Sequence, residues 1–248
     1  MIRCGLFTGR RMTSRPLELA LNASFEQLSA TVPADVGIAI ARPDRTYSLG
    51  GWTSGVAWST IKVPLAIAAL RSDRAPAREA VVKAITESDN HASEQLWSQL
   101  GDPGDAARRV QDIIAESGDT ATVVESRRLR RGFTAFGQTQ WPLDRQARFA
   151  EQLPLIPGAA HVIDLMHQLT ADQRWGLSAK GLAAKAGWGP SVGGDYLVRQ
   201  FGIVPTQFGQ WGVALAAEAH DGVFETGIEV VNTLSDWLLG RLPGLARY

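Results

Sequence analysis

The apolar residues of this chain recur first at helical spacing and then at strand spacing. Apolar side chains repeat every three or four positions over residues 17–28, directly after the helix-start signal Ser14-Arg15-Pro16. Two short apolar segments follow, Val36–Ile40 and Thr46–Leu49, with a turn at residues 42–44 between them. The first fifty residues therefore predict one helix followed by a pair of strands.

The middle of the chain has mainly helical spacing. The run Ile61–Leu70 is apolar on nearly every face, so we expect a helix that is buried on most sides. Residues 119–140 are irregular and rich in arginine. Further helices are predicted on either side of that stretch: one opened by Pro76 and running through Ile85, one over Leu96–Leu100, one over Val110–Ile114, and one opened by Pro142 and running through Leu153.

The last third of the chain returns to strand spacing. It predicts strands over Leu182–Trp188, Tyr196–Ile203 and Trp211–Ala217, and a closing helix over Phe224–Leu239. Strands at both ends of a chain favour one shared antiparallel sheet with helices inserted between them. We therefore predict an α+β fold: a loose N-terminal extension over 1–16, an α/β lobe from 17–57 and 175–248, and a helical lobe over 58–174.

Composition and charge exclude several classes of protein. The 248 residues are 45% hydrophobic and 20% charged, which argues against a disordered chain. The 25 basic and 25 acidic residues cancel, so no net field attracts nucleic acid, and a monomer and a homodimer are equally compatible with the sequence. No apolar run approaches the ~20 residues of a membrane span. The single cysteine, Cys4, cannot form an internal disulfide.

The first candidate for chemistry is the tetrad Ser59-Thr60-Ile61-Lys62 at the head of the buried helix. Positions i and i+3 share a helix face, so the lysine can reach the serine hydroxyl. Burial against an apolar helix lowers the pKa of an ammonium group and lets it act as a base, while first-turn N–H groups favour an oxyanion. The alternative is a helix N-cap serine and a surface lysine without a shared role.

Two further triplets give the tetrad its context. Ser88-Asp89-Asn90 joins two predicted helices, and Lys185-Ala186-Gly187 lies on a predicted strand. Each alone is also consistent with an ordinary helix cap or a strand edge. In this order they resemble the S-x-x-K, S-D-N and K-T-G motifs of the penicillin-recognising serine hydrolases, the class A β-lactamases and their D,D-peptidase relatives. The resemblance extends to flanking residues: Trp58–Pro64, Ala84–Ala92 and Thr139–Pro142.

The resemblance implies a role for each matching residue. Ser59 would be the acylated nucleophile and Lys62 its activating base or proton relay. Ser88 would pass a proton to the leaving nitrogen, Asn90 would position Lys62 and the substrate amide, and Lys185 would attract a substrate carboxylate. The substrate would be a β-lactam or a peptide-like amide of the peptidoglycan type, with no metal and no cofactor.

The third motif carries the remaining implied contacts and also departs from the family pattern. The backbone N–H groups of Ser59 and Trp188 would form the oxyanion hole beside Gly187, and removal of one such donor costs ~10²–10³ in rate. Ala186 stands where the family has Thr or Ser, so one hydroxyl for a substrate carboxylate is missing. The ring of Trp188 stands where small residues are common and is expected to crowd the entrance. Ser59 and Ser88 are 29 residues apart, about half the usual separation, which predicts a more open wall.

Deacylation depends on a glutamate that the sequence identifies poorly. Counting back from Thr139–Pro142 without gaps, Glu125 occupies the position of the deacylating glutamate in the family. None of the usual neighbours surrounds it, and a surface ion pair with Arg127 or Arg128 is the alternative. Without an ordered glutamate the acyl-enzyme would be long-lived, as in a penicillin-binding protein or a slow esterase.

Three functions therefore stay open: a β-lactamase-like hydrolase, a D,D-peptidase or esterase with slow deacylation, and a non-catalytic binding protein. The basic residues favour an active nucleophile, because the chain uses 21 arginines and only four lysines yet keeps lysine at Lys62 and Lys185. Arginine at the first position could not accept a proton. Residues 1–16 lack the apolar stretch of a secretory signal, so the sequence predicts a cytoplasmic location if taken literally, and the cell envelope if it follows the family.

Overall fold

The computed structural model describes residues 14–72, 74–207 and 209–245. The helices are α1 (Ser14–Ser29), α2 (Lys62–Ser72), α3 (Arg74–Thr86), α4 (Asn90–Gln99), α5 (Pro103–Ala115), α6 (Leu143–Gln152), α7 (Ala160–Met166) and α8 (Phe224–Leu245). The strands are β1 (Ala34–Ala41), β2 (Thr46–Gly50), β3 (Ser54–Val56), β4 (Gln140–Pro142), β5 (Ala183–Pro190), β6 (Tyr196–Thr206) and β7 (Gly209–Ala219). Short 3-10 segments cover Trp58–Ile61, Phe136–Gln138, Leu153–Leu155, Ala171–Gln173 and Ser178–Lys180.

The main sheet joins the two ends of the chain. Its five strands are antiparallel and run in the order β2-β1-β7-β6-β5. Strand β1 pairs with β7 over its whole length, from Ala34 opposite Ala219 to Ala41 opposite Gly212. The α+β fold with one shared antiparallel sheet is therefore confirmed.

Helices cover both faces of this sheet. Helices α1 and α8 lie on one face, where the rings of Phe25 and Trp237 meet edge to face at 5.2 Å. Helix α6 lies on the other face against β1 and β7. It comes so close that a side chain on Gly212 would collide with the backbone of Ala147 and Glu151. Thus α6 packs on the sheet, although its residues fall within the range predicted for the helical lobe.

The helical lobe is built around α2. Residues Val63–Ala69 are all buried, as the continuous apolar run predicts. Helix α3 follows after one residue and fills the whole interval between α2 and the Ser88 turn. It begins at Arg74, before Pro76; proline is tolerated in the first turn because the N–H group there has no intrahelical acceptor.

Three elements were not predicted. Strands β3 and β4 are three residues long and pair with each other, and the seven-residue helix α7 packs under the lobe. Segments this short carry too little periodicity to be recognised. At the N-terminus, residues 1–13 of the predicted extension lie outside the described residues, and residues 14–16 already belong to α1.

A buried arginine ties the small β3–β4 sheet to the main sheet. Arg199 on β6 is fully buried, and its guanidinium donates to the carbonyls of Gly55 and Val56 at 2.9 and 3.0 Å. It also donates to Trp141 O at 2.9 Å and to Gln146 Oε1 at 3.0 Å. The strand that leads into the Ser59 segment is thereby fastened to the core of the protein.

Candidate active site

Ser59 lies in the 3-10 turn that precedes α2. The preceding residue, Trp58, has a φ of 50°, which is uncommon for a side chain of this size. The turn is held from both sides: Ala57 N donates to Thr139 O at 2.7 Å, and the Thr60 hydroxyl accepts from Gln146 Nε2 at 2.8 Å. Strain of this kind persists only where the surroundings enforce it, and it is concentrated at functional sites.

Strand β5 passes directly over the Ser59 backbone. A Cβ atom on Gly187 would lie 2.6 Å from Ser59 N and 2.8 Å from Ala57 O, so glycine is required for this approach. Gly189, two residues on, faces the ring of Trp58 just as closely. The small residues of the third motif thus bring its backbone against the first motif.

The second motif forms the turn between α3 and α4. Ser88 has a φ of 57°, a second left-handed residue other than glycine. The Asp89 carboxylate caps α4 by accepting from Ala92 N at 2.6 Å, and Asn90 is the first residue of that helix. The cap fixes the turn, so the side chains of Ser88 and Asn90 are held toward α2.

Lys62 is buried and reaches across to this turn. Its Nζ donates to Ser88 O, to Asn90 Oδ1 at 2.8 Å and, at 3.4 Å, to Ser88 Oγ. Burial lowers the pKa of this ammonium to about 7, against the opposing effect of the Asp89 carboxylate. A large share of Lys62 is therefore neutral near pH 7.

Lys185 approaches the same serine from β5. Its Nζ donates to Ser88 Oγ at 2.9 Å and to Ala186 O at 3.1 Å, and the side chain is fully buried. Burial, and then the positive charge of Lys62, lower the pKa of Lys185 well below its ordinary value. Two lysines from different lobes therefore meet at one hydroxyl.

A cleft of ≈ 230 Å³ opens above these groups. Four of the predicted site residues line it, while the two lysines and Gly187 do not line it but contact Ser88 or Ser59, which do. The full lining is Trp58, Ser59, Ser88, Asn90, Gly132, Phe133, Thr134, Trp188, Gly189, Pro190 and Tyr196.

Many solved structures share this architecture. The class A β-lactamase from Mycobacterium abscessus superposes with a TM-score of 0.70 at 14% identity, over 90% of this chain and 99% of that one. The TLA-3 extended-spectrum β-lactamase superposes with a TM-score of 0.68 at 15% identity, over 89% of this chain and 99% of that one. The chain has the class A β-lactamase fold. PBP-A is similar as well, with a TM-score of 0.67 at 20% identity over 91% and 96% of the two chains.

Sequence comparison adds nothing to this likeness. No protein-family model matches the chain, and no curated protein matches it. At 13–20% identity, the solved structures named above and their relatives establish a shared fold, and the fold alone. The chemistry must therefore be argued from the residues of this chain.

Glu125 does not line the cleft of this β-lactamase fold. Its carboxylate accepts from Arg127 Nε at 3.0 Å, from Arg127 Nη2 at 3.2 Å and from the Arg127 amide at 2.8 Å. The hydrogen bond from the Arg127 side chain lowers the pKa of Glu125. The surface ion pair, which the sequence left open as the alternative, is thus the arrangement found.

Trp188 combines a backbone on the cleft with a ring that packs elsewhere. The ring lies 5.1 Å from that of Phe224 and 6.1 Å from that of Trp175, on the side of the sheet that carries α8. Side chains alternate along a strand, so Gly187 and Trp188 necessarily face opposite ways. The ring is held in the α8 layer rather than free over the nucleophile.

The irregular segment contributes residues that sequence reasoning did not single out. The ring of Phe133 meets that of Trp58 at 5.1 Å, and the Arg130 guanidinium lies over both rings while donating to Pro190 O at 2.7 Å. Nothing in the local pattern distinguished Arg130 from the arginines beside it. Its role depends on which residues the fold brings next to it.

Two kinds of feature are absent from the described residues. No group of three or more His, Cys, Asp or Glu side chains is arranged to hold a metal ion within residues 14–72, 74–207 and 209–245. In that same part of the chain, no helix has the length and apolar character needed to cross a bilayer.

Proposed function

We propose that this protein is a serine acyl-transfer hydrolase that forms an ester at Ser59 with a β-lactam or a peptide-like amide. The observation that carries the proposal is the convergence of Lys62 and Lys185 on Ser88 beside Ser59. Buried ammonium groups are costly, and lowered pKa values at such positions are typical of functional sites.

Acylation begins with the transfer of the Ser59 proton. Neutral Lys62 takes the proton from the hydroxyl as the oxygen attacks the carbonyl carbon, so an O–C bond forms and the O–H bond breaks. With a pKa of about 7, Lys62 supplies both the neutral base and the subsequent proton donor near neutral pH. Asn90 holds the lysine through its Oδ1.

The proton then leaves through Ser88. The hydroxyl of Ser88 passes its proton to the leaving nitrogen and takes one from Lys62, while the C–N bond breaks. Lys185 supports this hydroxyl from the opposite side and attracts a substrate carboxylate, which in turn favours its charged form. Backbone N–H groups of Ser59 and Trp188 stabilise the oxyanion.

The lining of the cleft favours the slow-deacylation form of this function. The described residues that line it include no carboxylate, and the carboxylate of Glu125 is hydrogen-bonded to the guanidinium of Arg127. Without a carboxylate to activate water, the ester would persist. We therefore prefer a D,D-peptidase-like or esterase-like penicillin-binding protein to an efficient β-lactamase.

One mass-spectrometric experiment tests both the acylation of Ser59 and the slow deacylation of the ester. The intact protein is incubated with benzylpenicillin, and the adduct mass is followed with time in the wild type and in Ser59→Ala. The proposal expects one adduct per wild-type chain, none on Ser59→Ala, and loss of the adduct over hours. If the folded protein forms no adduct with any ester or amide donor, the proposal is wrong. Only a non-catalytic binding function would then remain.

A further inference from the structure

A second cavity adjoins the catalytic cleft and is larger than it. Its volume is ≈ 370 Å³, and its lining residue Arg130 donates from its guanidinium to the O atom of Pro190, which lines the cleft. Strand β3, the irregular segment and the β5–β6 turn contribute to its lining. This volume lies at the lower end of the range of small-ligand sites.

One side of the cavity carries an oriented carboxylate. Glu218 Oε2 accepts from Trp52 Nε1 at 3.0 Å, and Oε1 accepts from the Ser191 hydroxyl. Both donors are neutral, so they orient the carboxylate, and Glu218 forms no salt bridge among the described residues. An ionised carboxylate has about four acceptor positions, which leaves room for a cationic donor from a ligand.

The lining also carries the opposite charge. Arg130 makes one hydrogen bond among the described residues, from Nη1 to Pro190 O, although a guanidinium has five N–H donors. Gln138 lines the same cavity and is 3% exposed, and its side-chain nitrogen has no hydrogen-bond partner among the residues that the structure describes. A buried amide without a partner points to an acceptor that is not part of the chain.

The rim between these groups is apolar. Leu129 and Val192 belong to different segments, line the same cavity and are 55% and 93% exposed. The buried Leu197 lies deeper in the same wall. An apolar side chain of a ligand would cover this surface and remove it from water.

These features define one chemical class. Glu218 and Arg130 are the two charged residues among the twelve that line the cavity, and each is directed to neutral partners rather than to the other. A ligand that satisfies both must carry a cation and an anion. We propose that the second cavity binds a free amino acid with an apolar side chain, its ammonium at Glu218 and its carboxylate at Arg130 and Gln138.

Calorimetric titration of the wild-type protein with leucine tests this proposal. Saturable binding is expected, and leucine methyl ester and N-acetylleucine, which each lack one of the two charges, should bind at least about tenfold more weakly. Both enantiomers are titrated. Absence of saturable binding, or equal binding of either analogue, would overturn the proposal.

Variants locate the site and separate it from the catalytic cleft. Glu218→Gln removes the charge, while its amide oxygen can still accept from Trp52 Nε1 and its NH2 can donate to the Ser191 hydroxyl oxygen. It should weaken leucine binding about tenfold, as should Arg130→Gln. Glu229→Gln, an exposed change on α8, is the matched control and should bind as the wild type does.

Ser59→Ala should also bind leucine normally. Loss of binding in Ser59→Ala would place leucine in the catalytic cleft and refute a second site. Because the titration involves no acyl transfer, its outcome is independent of the proposed function. If Glu218→Gln fails to fold by circular dichroism, the analogue series on the wild type still decides the question.

Discussion

Two parts of the predicted catalytic machinery are built in different ways. Next to the cleft, Lys62 and Lys185 are buried and bonded to a shared serine from two lobes. Outside the cleft lining, Glu125 is held by a single arginine whose side chain is 77% exposed. Buried polar networks have little freedom to rearrange, whereas exposed ion pairs contribute ~0–1 kcal/mol. The difference suggests that acylation is structurally secured in this chain and that deacylation is not.

Replacing the buried base Lys62 should have the largest effect on the acylation rate. Lys62→Met keeps the volume of the side chain but removes the proton acceptor, and we expect the acylation rate to fall by ~10²–10⁴. The rate is measured with a fluorescent penicillin. Lys83→Met, at an exposed lysine paired with Glu79, is the matched control and should react normally. Unchanged acylation by Lys62→Met would show that the buried network is not catalytic.

A side chain added between β5 and the nucleophile should be nearly as damaging. Gly187→Ala would put a methyl group 2.6 Å from Ser59 N, and the backbone movement needed should cost ~1–3 kcal/mol of stability and most of the acylation rate. Thermal melting and the labelling rate measure the two effects. Gly193→Ala, which meets nothing within 4 Å, is the control. A fully active Gly187→Ala would mean that the approach of β5 is not required.

The buried lysine also predicts how stability depends on pH. Lys62 has a pKa of about 7 in the folded protein and an ordinary lysine value when unfolded, so the unfolded chain binds more protons between those values. The free energy of unfolding should therefore rise with pH from about 7 to about 10, by on the order of 4 kcal/mol from this group.

The pH effect is isolated by comparing wild type with Lys62→Met in urea unfolding across that interval. Lys185 contributes with the same sign in both proteins, but less in Lys62→Met because the charge of Lys62 that helps to lower its pKa is gone. The difference between the two curves therefore reports Lys62 together with its coupling to Lys185. Parallel curves would contradict a lowered pKa at this position.

Replacing Glu125 in its exposed ion pair should have the smallest effect on acylation and on loss of the adduct. Glu125→Gln is expected to change acylation and adduct loss by less than about twofold, because its carboxylate already binds Arg127. Adduct loss is followed by mass spectrometry, with Glu94→Gln, which breaks a comparable pair with Arg128, as the control. A hundredfold slower loss in Glu125→Gln alone would identify Glu125 as the deacylating base after all and reverse our preference.

Residues in local motifs could be predicted from the sequence, and those assembled by distant segments could not. The buried helix α2 and the strands β5–β7 have unmistakable periodicity, and the three motifs each lie within four residues. In contrast, the contact of Arg130 with Pro190 joins residues sixty positions apart. The positive φ of Trp58 could not be predicted from the hydrophobic pattern either, because β5 and Thr139 impose it from outside the turn.

The same distinction applies to the second cavity. Its two charges come from the irregular segment and from β7, and neither neighbourhood has a recognisable motif. Only the fold brings Arg130 and Glu218 to the lining of one cavity. No function could be predicted for the arginine-rich stretch from the sequence, since a row of similar residues gives no means of choosing among them.

The buried guanidinium of Arg199 has a consequence for local motion. Because it bonds the carbonyls of both β3 and β4 from within the main sheet, these short strands cannot separate without exposing its charge-bearing donors. The amide of Ala57, next to the nucleophile turn, should therefore exchange with deuterium only as the whole domain unfolds. The serine and its approach strand would then belong to the most slowly exchanging part of the molecule, while the exposed residues 127–129 of the irregular segment should exchange faster.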